Sequence, residues 1–528
     1  MKFNFSAAIT LLFASLCLTS CGGGSDSNSP LHSVQTDKGA VVGVSAGAVN
    51  KYLGIPYAAP PVGNLRWQAP QPPQAWSSPF YATAFGPPCA QLATVFGTAS
   101  SSEDCLHLNV FTPSSSGTYP VMVWIHGGAL VTGEASDYDP SALVQSGVVV
   151  VTVDYRLGAL GFLTHPAFAA ANGSAGNYGL MDQQAALKWV QTNIAAFDGD
   201  PRNVTLFGQS AGGLSTLSQI ASPLAAGLFQ KAIVESGAYS LQPPSLAIAE
   251  VSGQNFATAA GCANQSAACL QALPVSAILA NAGAVQTNGG QLPTVDLAVL
   301  PTTLAIAFSS GNFNKVPMIE GSNQHEYSVL SAAAIDVSLG HQMSASDYPT
   351  YVNNIFGATI GAELIQFVYP LTPALTPAWT FDSLLTDFAF SCNGRSVAKV
   401  ISAANVPVYT YEFADKNAPM FFNVPPRTDG YGAFHAAELA YVFPGSTGKA
   451  YYGSPFTAAQ TALSNQMVGF WAQFAKSGNP NAAGSTAWPA YTAANDTYLT
   501  LAPNAVATTT AFATEHNCAI WLPSDVGL

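Results

Sequence analysis

The chain has 528 residues, of which 49% are hydrophobic and only 8% are Asp, Glu, Lys or Arg, so it has ample apolar surface for a large core. Its formal net charge is -13, which excludes the electrostatic attraction that a nucleic acid or an anionic membrane surface needs from a protein. A globular protein without a nucleic-acid partner is therefore expected.

The first element is an apolar stretch at residues 7–18, AAITLLFASLCL, which is too short to span a bilayer comfortably. It predicts an export signal over residues 1–20. The sequence LTSC, which ends at Cys21, resembles the lipobox of bacterial lipoproteins, in which the cysteine is lipidated and becomes the first mature residue. Residues 21–33, with the run GGGSDSNSP, have the composition of a flexible tether.

These features predict an exported cell-envelope lipoprotein of the outer membrane, whose contact with the membrane is its N-terminal lipid. The alternative is a freely secreted protein in which Cys21 only belongs to the cleavage region. Residues 34–528 are expected to form one catalytic domain.

Strand-like and helix-like segments alternate through the chain and predict an α/β fold. Runs rich in Val and Ile, separated by a helical pattern at 182–194, are typical of a buried, mostly parallel sheet flanked by helices. The Ala-rich intervals 240–310 and 330–400 predict helical insertions that form a lid or pocket wall. Strands are expected at 119–125, 148–155, 204–207, 231–236, 315–321 and 406–413.

The stretch NVTLFGQSAGG at 203–213 places Ser210 between two glycines in G-x-S-x-G spacing. An apolar β-type run precedes the serine, and Leu214, Leu217 and Ile220 follow at helical intervals. A strand that turns sharply into a helix pushes the central hydroxyl outwards, and it needs small neighbours on both sides. Ser210 is therefore a candidate nucleophile; the alternative is an ordinary strand-to-helix turn.

A serine nucleophile needs a base and a carboxylate that orients the base. On an α/β-hydrolase sheet the chain order is serine, acid, histidine, which leaves His341, His435 and His516 as candidate bases. Glu326 follows the strand at 315–321, so its carboxylate is placed at the carboxyl edge of a parallel sheet. On its own, Glu326 could equally be a solvated loop charge.

The strand at 119–125 ends in His126-Gly127-Gly128-Ala129, a loop of small residues. Such a loop lets backbone N–H groups approach a reacting carbonyl oxygen and stabilise the negative charge that develops on it. Ala211, which follows the candidate nucleophile, would supply another N–H group. A glycine turn without catalytic function is the alternative.

Taken together, a series of motifs resembles the type-B carboxylesterase family, which includes cholinesterases and bacterial para-nitrobenzyl-type esterases. The resemblance covers nearly the whole chain after the tether and implies an α/β-hydrolase fold. Its motifs are YLGIPYAAPPVGNLRW, SEDCLHLNVFTP, VMVWIHGGA, VDYRLGALGFL, the long run from NYGLMDQQAAL to GQSAGG, GSNQHE, GAFHAAEL and CAIW.

The resemblance implies Ser210 as the acyl nucleophile, Glu326 as the acid and His435 as the base. It places Gly128, Ala129 and Ala211 at the oxyanion positions, with Gly127 shaping the loop and Ser236 in support near the triad. Two positions depart from the family pattern: Gln209 replaces a glutamate before the nucleophile, and His325 replaces an aspartate before the acid.

Of the eight cysteines, six remain besides Cys17 in the export signal and Cys21. An even number suits an oxidising compartment, and six cysteines allow fifteen pairings. The resemblance implies three pairs: Cys89–Cys105, Cys262–Cys269 and Cys392–Cys518.

We therefore expect a serine hydrolase that cleaves carboxylic esters through an acyl-enzyme, with no cofactor and no metal. Its partners are a small-molecule or polymeric ester and water. The alternatives are an amide- or carbamate-cleaving serine hydrolase, and a cholinesterase-like binding module without catalysis. The sequence does not specify the natural ester or the oligomeric state.

Overall fold

The computed structural model describes residues 29–30, 33–170, 175–283, 292–446 and 455–521. The predicted export signal at 1–20, Cys21, and residues 22–28 and 31–32 of the predicted tether lie outside the described residues.

The strands, in chain order, are β1 (Ser29–Pro30), β2 (Val34–Thr36), β3 (Gly39–Val42), β4 (Val44–Ala46), β5 (Val49–Pro56), β6 (Phe80–Tyr81), β7 (His107–Pro113), β8 (Tyr119–Ile125), β9 (Val149–Val153), β10 (Gly199–Gln209), β11 (Lys231–Glu235), β12 (Met318–Asn323), β13 (Val408–Phe413), β14 (Tyr498–Leu501) and β15 (Ala507–Thr509).

The α-helices are α1 (Ser141–Gln145), α2 (Gly158–Phe162), α3 (Tyr178–Asn193), α4 (Ala211–Ala221), α5 (Leu246–Ala259), α6 (Ala267–Gln271), α7 (Val275–Ala280), α8 (Leu304–Ser309), α9 (Tyr327–Ser331), α10 (Val337–Leu339), α11 (Tyr348–Phe356), α12 (Ala358–Glu363), α13 (Pro377–Thr386), α14 (Cys392–Ala403), α15 (Leu439–Val442), α16 (Ala458–Ser477) and α17 (Phe512–Glu515). Short π-helical segments lie at Ala332–Asp336, Leu364–Val368 and Asp387–Ser391.

Within the described residues, one 12-stranded sheet runs in the order β1-β4-β5-β7-β9-β8-β10-β11-β12-β13-β14-β15. Every pairing from β9 to β14 is parallel, whereas the pairings at both edges are antiparallel. Strands β2, β3 and β6 form a separate 3-stranded sheet. The predicted mostly parallel sheet is therefore confirmed for its centre, and it has antiparallel margins.

The central strands are buried on both faces because helices cover the sheet from both sides. Along β8, Val123 and Ile125 pack into the core that contains α3 and α4, and the alternate residues Met122 and Trp124 pack into the core that contains α16. This two-sided burial explains why the sequences of the central strands are nearly continuous apolar runs.

Helices α5 to α8 lie in the interval 240–310 and helices α10 to α13 lie in the interval 330–400, where insertions are expected; α9 begins before the second interval and α14 ends after it. In the described part of the chain no helix has the length and apolarity needed to cross a membrane. The parallel strands β8, β10, β11, β12 and β13 all bring their carboxyl ends to one edge of the sheet, and the candidate site residues follow several of these ends.

Candidate active site

Ser210 occupies a sharp turn between β10 and α4. Its backbone has φ 56° and ψ -121°, a conformation that residues other than glycine rarely adopt. A Cβ atom on Gly212 would lie 1.9 Å from the carbonyl oxygen of Ile125, so the next turn of the helix passes too close to β8 for any larger residue. The strained turn holds the serine at the carboxyl edge of the sheet, where it is partly exposed.

His435 and Glu326 form a buried hydrogen-bonded pair. Nδ1 of His435 donates to Oε2 of Glu326 at 2.5 Å, and the two residues are 6% and 0% exposed. The other carboxylate oxygen, Oε1, accepts from the backbone N–H of Asn323 at 2.7 Å. This arrangement fixes the proton of the imidazole on Nδ1 and leaves Nε2 as an acceptor.

His325 ties the loop of the acid to the loop of the histidine. Its N–H donates to the carbonyl of Ala433 at 3.0 Å, and its Nδ1 accepts from the N–H of Ala433 at 3.2 Å. Burial, followed by the positive charges of Lys416 and His516, lowers the pKa of His325 to about 4. His325 is therefore neutral at physiological pH, which suits an Nδ1 atom that accepts a hydrogen bond.

Gln209 directly precedes Ser210 and is buried. Its amide nitrogen lies 3.4 Å from Nε2 of His435. Within the described residues, the hydroxyl of Ser210 makes no hydrogen bond to His435, and such bonds often tighten only when substrate binds. A neutral amide, and not a carboxylate, thus faces Nε2 of His435.

Residues Gly127 to Leu130 form a tight loop beside the serine. A Cβ atom on Gly127 would lie 3.2 Å from the Cβ of Ser210, and Gly128 has φ 101°. Ala129 and Leu130 have φ values of 55° and 60°. Nδ1 of His126 donates to the carbonyl of Gly127 at 2.8 Å, which fixes the orientation of the peptide between Gly127 and Gly128.

Three further glutamates are buried around Glu326. Burial raises the pKa of Glu235 and Glu320 well above the usual value, and the neighbouring carboxylates add to the rise. Burial and the charge of Glu326 raise the pKa of Glu438 to about 7. The Asn323 amide donates to Glu438, and Trp471 donates to Glu235 at 2.7 Å. Burial therefore disfavours the charged form of all three carboxyl groups around the acid of the pair.

The remaining candidates, Ser236, His341 and His516, make no hydrogen bond to the Glu326–His435 pair in the described part of the chain. Ser236 follows β11 with φ 52°, and its buried hydroxyl has no partner among the described residues. His341 is exposed and lies 3.9 Å from Asp347. His516 is buried between two carboxylates, so it is occupied by ion pairs and cannot serve Ser210.

The structure contains three disulfides, and no group of three or more His, Cys, Asp or Glu residues that could hold a metal ion occurs in its described residues. The disulfides join Cys89 to Cys105, Cys262 to Cys269 and Cys392 to Cys518. Disulfides persist in oxidising compartments, so they indicate an extracellular or secreted protein.

His126 and Glu438 were not among the site residues predicted from the sequence, although His126 holds the carbonyl of Gly127 and Glu438 lies beside Glu326. The motif H-A-A-E places Glu438 three residues after His435, a spacing that puts two side chains on the same face of a helical turn. His126 directly precedes Gly127 and Gly128, so its position in the sequence is a signal that could have identified it.

The sheet order, the serine turn and the buried His435–Glu326 pair are those of an α/β-hydrolase. Residues 30–521 match the carboxylesterase family. The chain is 36% identical over 478 residues to a para-nitrobenzyl esterase of Bacillus subtilis, covering 87% of this chain and 92% of that protein. It is 35% identical over 503 residues to a human cocaine esterase, covering 89% of this chain and 87% of that protein.

Among solved structures, a PNB esterase superposes with a TM-score of 0.77 at 33% identity, covering 94% of this chain and 99% of that chain. The chain therefore belongs to the carboxylesterase family. It is a serine hydrolase that acts on carboxylic esters, and the comparisons do not favour the amide-cleaving or non-catalytic alternatives.

Proposed function

We propose that Ser210 is the acyl nucleophile, that His435 is its general base and that Glu326 orients the base. The observation that supports this most strongly is the buried hydrogen bond of 2.5 Å between His435 and Glu326 beside a serine in a strained turn. The hydrogen bond holds the imidazole in the tautomer whose Nε2 accepts a proton.

In the proposed reaction, Oγ of Ser210 attacks the ester carbonyl carbon while Nε2 of His435 takes the hydroxyl proton. The carbonyl oxygen becomes negatively charged and accepts hydrogen bonds from the N–H groups of Gly128, Ala129 and Ala211. His435 then passes its proton to the leaving alcohol, and an acyl-enzyme remains. A water molecule, deprotonated by His435, attacks the acyl group and releases the acid and the free serine.

Kinetics of single and double variants test the proposed pair. Ser210→Ala and His435→Ala should each lower kcat for a para-nitrophenyl ester at least a thousandfold, and the double variant should lose little more, because the two residues act as one unit. Losses that multiply in the double variant would contradict the pairing, and an active Ser210→Ala variant would contradict the nucleophile.

For the substrate we propose esters of uncharged alcohols. Gln209 and His325 bring no charge at neutral pH to the surroundings of His435. One relative is named for para-nitrobenzyl esters, whose alcohol is uncharged. Para-nitrophenyl esters of acyl chains from two to twelve carbons, each compared as kcat/KM, would locate the acyl preference. Equal rates with the matched para-nitroanilides would contradict the assignment to esters.

We also propose that residues 1–20 are an export signal, that lipid on Cys21 anchors the protein to the outer membrane, and that residues 21–33 tether the catalytic domain at 34–528. The LTSC sequence and the three disulfides support an exported protein. Mass spectrometry of the membrane fraction should find acylated Cys21, and Cys21→Ala should release the enzyme. An unmodified chain in the medium would contradict the anchor.

A further inference from the structure

The loop closed by the Cys89–Cys105 disulfide packs against the segment that follows the oxyanion loop. Within it, the N–H of Gln91 donates to the carbonyl of Ser100 at 2.9 Å, and the N–H of Ser100 donates back at 3.0 Å, which makes a short hairpin. A Cβ atom on Gly97 would lie 2.0 Å from the hydroxyl oxygen of Thr132. The hairpin and the segment at Thr132 therefore touch without intervening space.

The side chain of Gln91 joins the two segments. Its Oε1 accepts from the hydroxyl of Thr132 at 2.5 Å and from the N–H of Gly133 at 2.8 Å. Its Nε2 donates to the carbonyl of Gly133 at 3.0 Å and to that of Cys89 at 3.2 Å. A primary amide has two donor hydrogens and two acceptor lone pairs. Gln91, only 1% exposed, thus uses every hydrogen-bonding group that it has.

Thr132 and Gly133 are in turn connected to the oxyanion loop. The N–H of Thr132 donates to the carbonyl of Gly128 at 3.0 Å, and a Cβ atom on Gly128 would lie 2.0 Å from the carbonyl oxygen of Thr132. A Cβ atom on Gly133 would lie 2.4 Å from Nδ1 of His126, the atom that holds the Gly127 carbonyl. Movement of Thr132 or Gly133 would therefore displace the peptide that carries the Gly128 N–H.

We propose that Gln91 is a positioning residue that holds the oxyanion loop in its catalytic geometry; this rests on the proposed roles of Ser210 and Gly128. Gln91 does not touch the reacting atoms, and it acts through Thr132 and Gly133. The oxyanion forms only in the transition state, so a displaced loop lowers kcat and leaves KM nearly unchanged. Removal of one oxyanion donor costs about 100- to 1,000-fold in kcat, and displacement of a donor that is still present costs less, on the order of tenfold to a hundredfold.

Three variants separate positioning from loop stability. Gln91→Glu keeps the shape and both acceptor positions but lacks the two donors to Gly133 and Cys89. Thr132→Val removes the hydroxyl that donates to Oε1 of Gln91. This variant tests the same contact if Gln91→Glu folds poorly. Ser100→Ala is the matched control. The hydroxyl of Ser100, in the same disulfide loop, donates to the Pro88 carbonyl at 2.7 Å, accepts from the N–H of Ser102 at 3.1 Å, and makes no hydrogen bond to the oxyanion loop in the described part of the chain.

The readouts are kcat and KM for para-nitrophenyl acetate per titrated active site, and the inhibition constants of two ketones. An alkyl trifluoromethyl ketone adds the serine oxygen to its carbonyl carbon, and its carbonyl oxygen becomes an oxyanion in the loop. The corresponding methyl ketone binds without forming this adduct. Only the first inhibitor reports the geometry of the oxyanion loop.

We expect Gln91→Glu to lose tenfold or more in kcat with KM within threefold, and to bind the trifluoromethyl ketone more weakly by a similar factor. Thr132→Val should lose at least threefold in kcat, and Ser100→Ala should stay within twofold of the wild type for every readout. A loss below threefold in folded Gln91→Glu, or an equal loss in Ser100→Ala, would overturn the proposal. An active Ser210→Ala variant would instead show that the proposed function is wrong, and it would overturn the positioning role of Gln91 as well.

Discussion

Replacing His516 with glutamine should lower the free energy of unfolding by about 3 to 5 kcal/mol at pH 7, because it breaks a buried ionic cluster by removing its cation. Nδ1 of His516 donates to Asp387 at 2.6 Å, and Nε2 donates to Glu412 at 2.7 Å. All three residues are at least 95% buried. Glutamine cannot supply the positive charge, so two carboxylates would stay buried with fewer donors.

The pH dependence follows from the same contacts. Burial alone would lower the pKa of His516, but the hydrogen bonds and charges of Asp387 and Glu412 raise it to about 10 from 6.5. A raised pKa contributes stability that is fully present below pH 6.5 and is lost as the pH rises through 10. The difference corresponds to about 5 kcal/mol at most. Between pH 7 and 10, the free energy of unfolding should therefore fall in the wild type, and this fall should be absent in the variant.

Urea unfolding at pH 6, 7, 8 and 10, at constant ionic strength, measures both effects. His341→Gln is the matched control: the side chain of His341 is 55% exposed and lies 3.9 Å from Asp347, so its loss should change stability by less than about 0.5 kcal/mol. A change below 1 kcal/mol in His516→Gln at pH 7, or an unchanged slope of stability with pH, would refute the reasoning.

Three other predictions concern the disulfide framework, the oxyanion loop and the substrate. Loss of the Cys392–Cys518 bridge, whose cysteines are 126 residues apart, should cost about 4 to 5 kcal/mol through loop entropy; an unchanged urea midpoint in the double serine variant would speak against this. Gly128→Ala should lower kcat at least tenfold, because its Cβ would lie 2.0 Å from the Thr132 carbonyl, and wild-type kcat would exclude the loop from catalysis. With neutral Gln209 in place, kcat/KM for acetylcholine should stay within tenfold of that for 3,3-dimethylbutyl acetate, and a larger preference for the cation would reveal an unrecognised anionic group.

Much of the sheet could be predicted from local sequence because buried parallel strands are apolar on both faces. The strand at 119–125 is observed as Tyr119–Ile125, and 231–236 as Lys231–Glu235. The strand at 204–207 is longer, Gly199–Gln209, because its polar first half has no apolar signal but belongs to the same strand, whose pairing with β8 shifts register between Gly199 and Val204. Helix α16 was not predicted, although Thr457 and Gln460 form a capping box that marks its start.

Some residues of the site could be predicted from local sequence, and others depend on contacts between distant segments. The turn at Ser210 and the glycines at 127 and 128 are local patterns, so spacing alone suggested them. The choice of His435 over His516 was not decided by local spacing; the family resemblance pointed to it. In the structure the two histidines differ in which carboxylates surround them, Glu326 for one and Asp387 with Glu412 for the other. These carboxylates come from segments about a hundred residues away, and spacing gives no information about such contacts.

Labelling with a fluorophosphonate, followed by peptide mass spectrometry, tests the catalytic role of Ser210 most directly. The reagent bonds covalently to a serine oxygen that a neighbouring histidine activates. We predict one label per chain on the peptide that contains Ser210, loss of ester hydrolysis in proportion to labelling, and no labelling of Ser210→Ala. A label on a different residue, or ester hydrolysis that survives full labelling, would contradict Ser210 as the nucleophile.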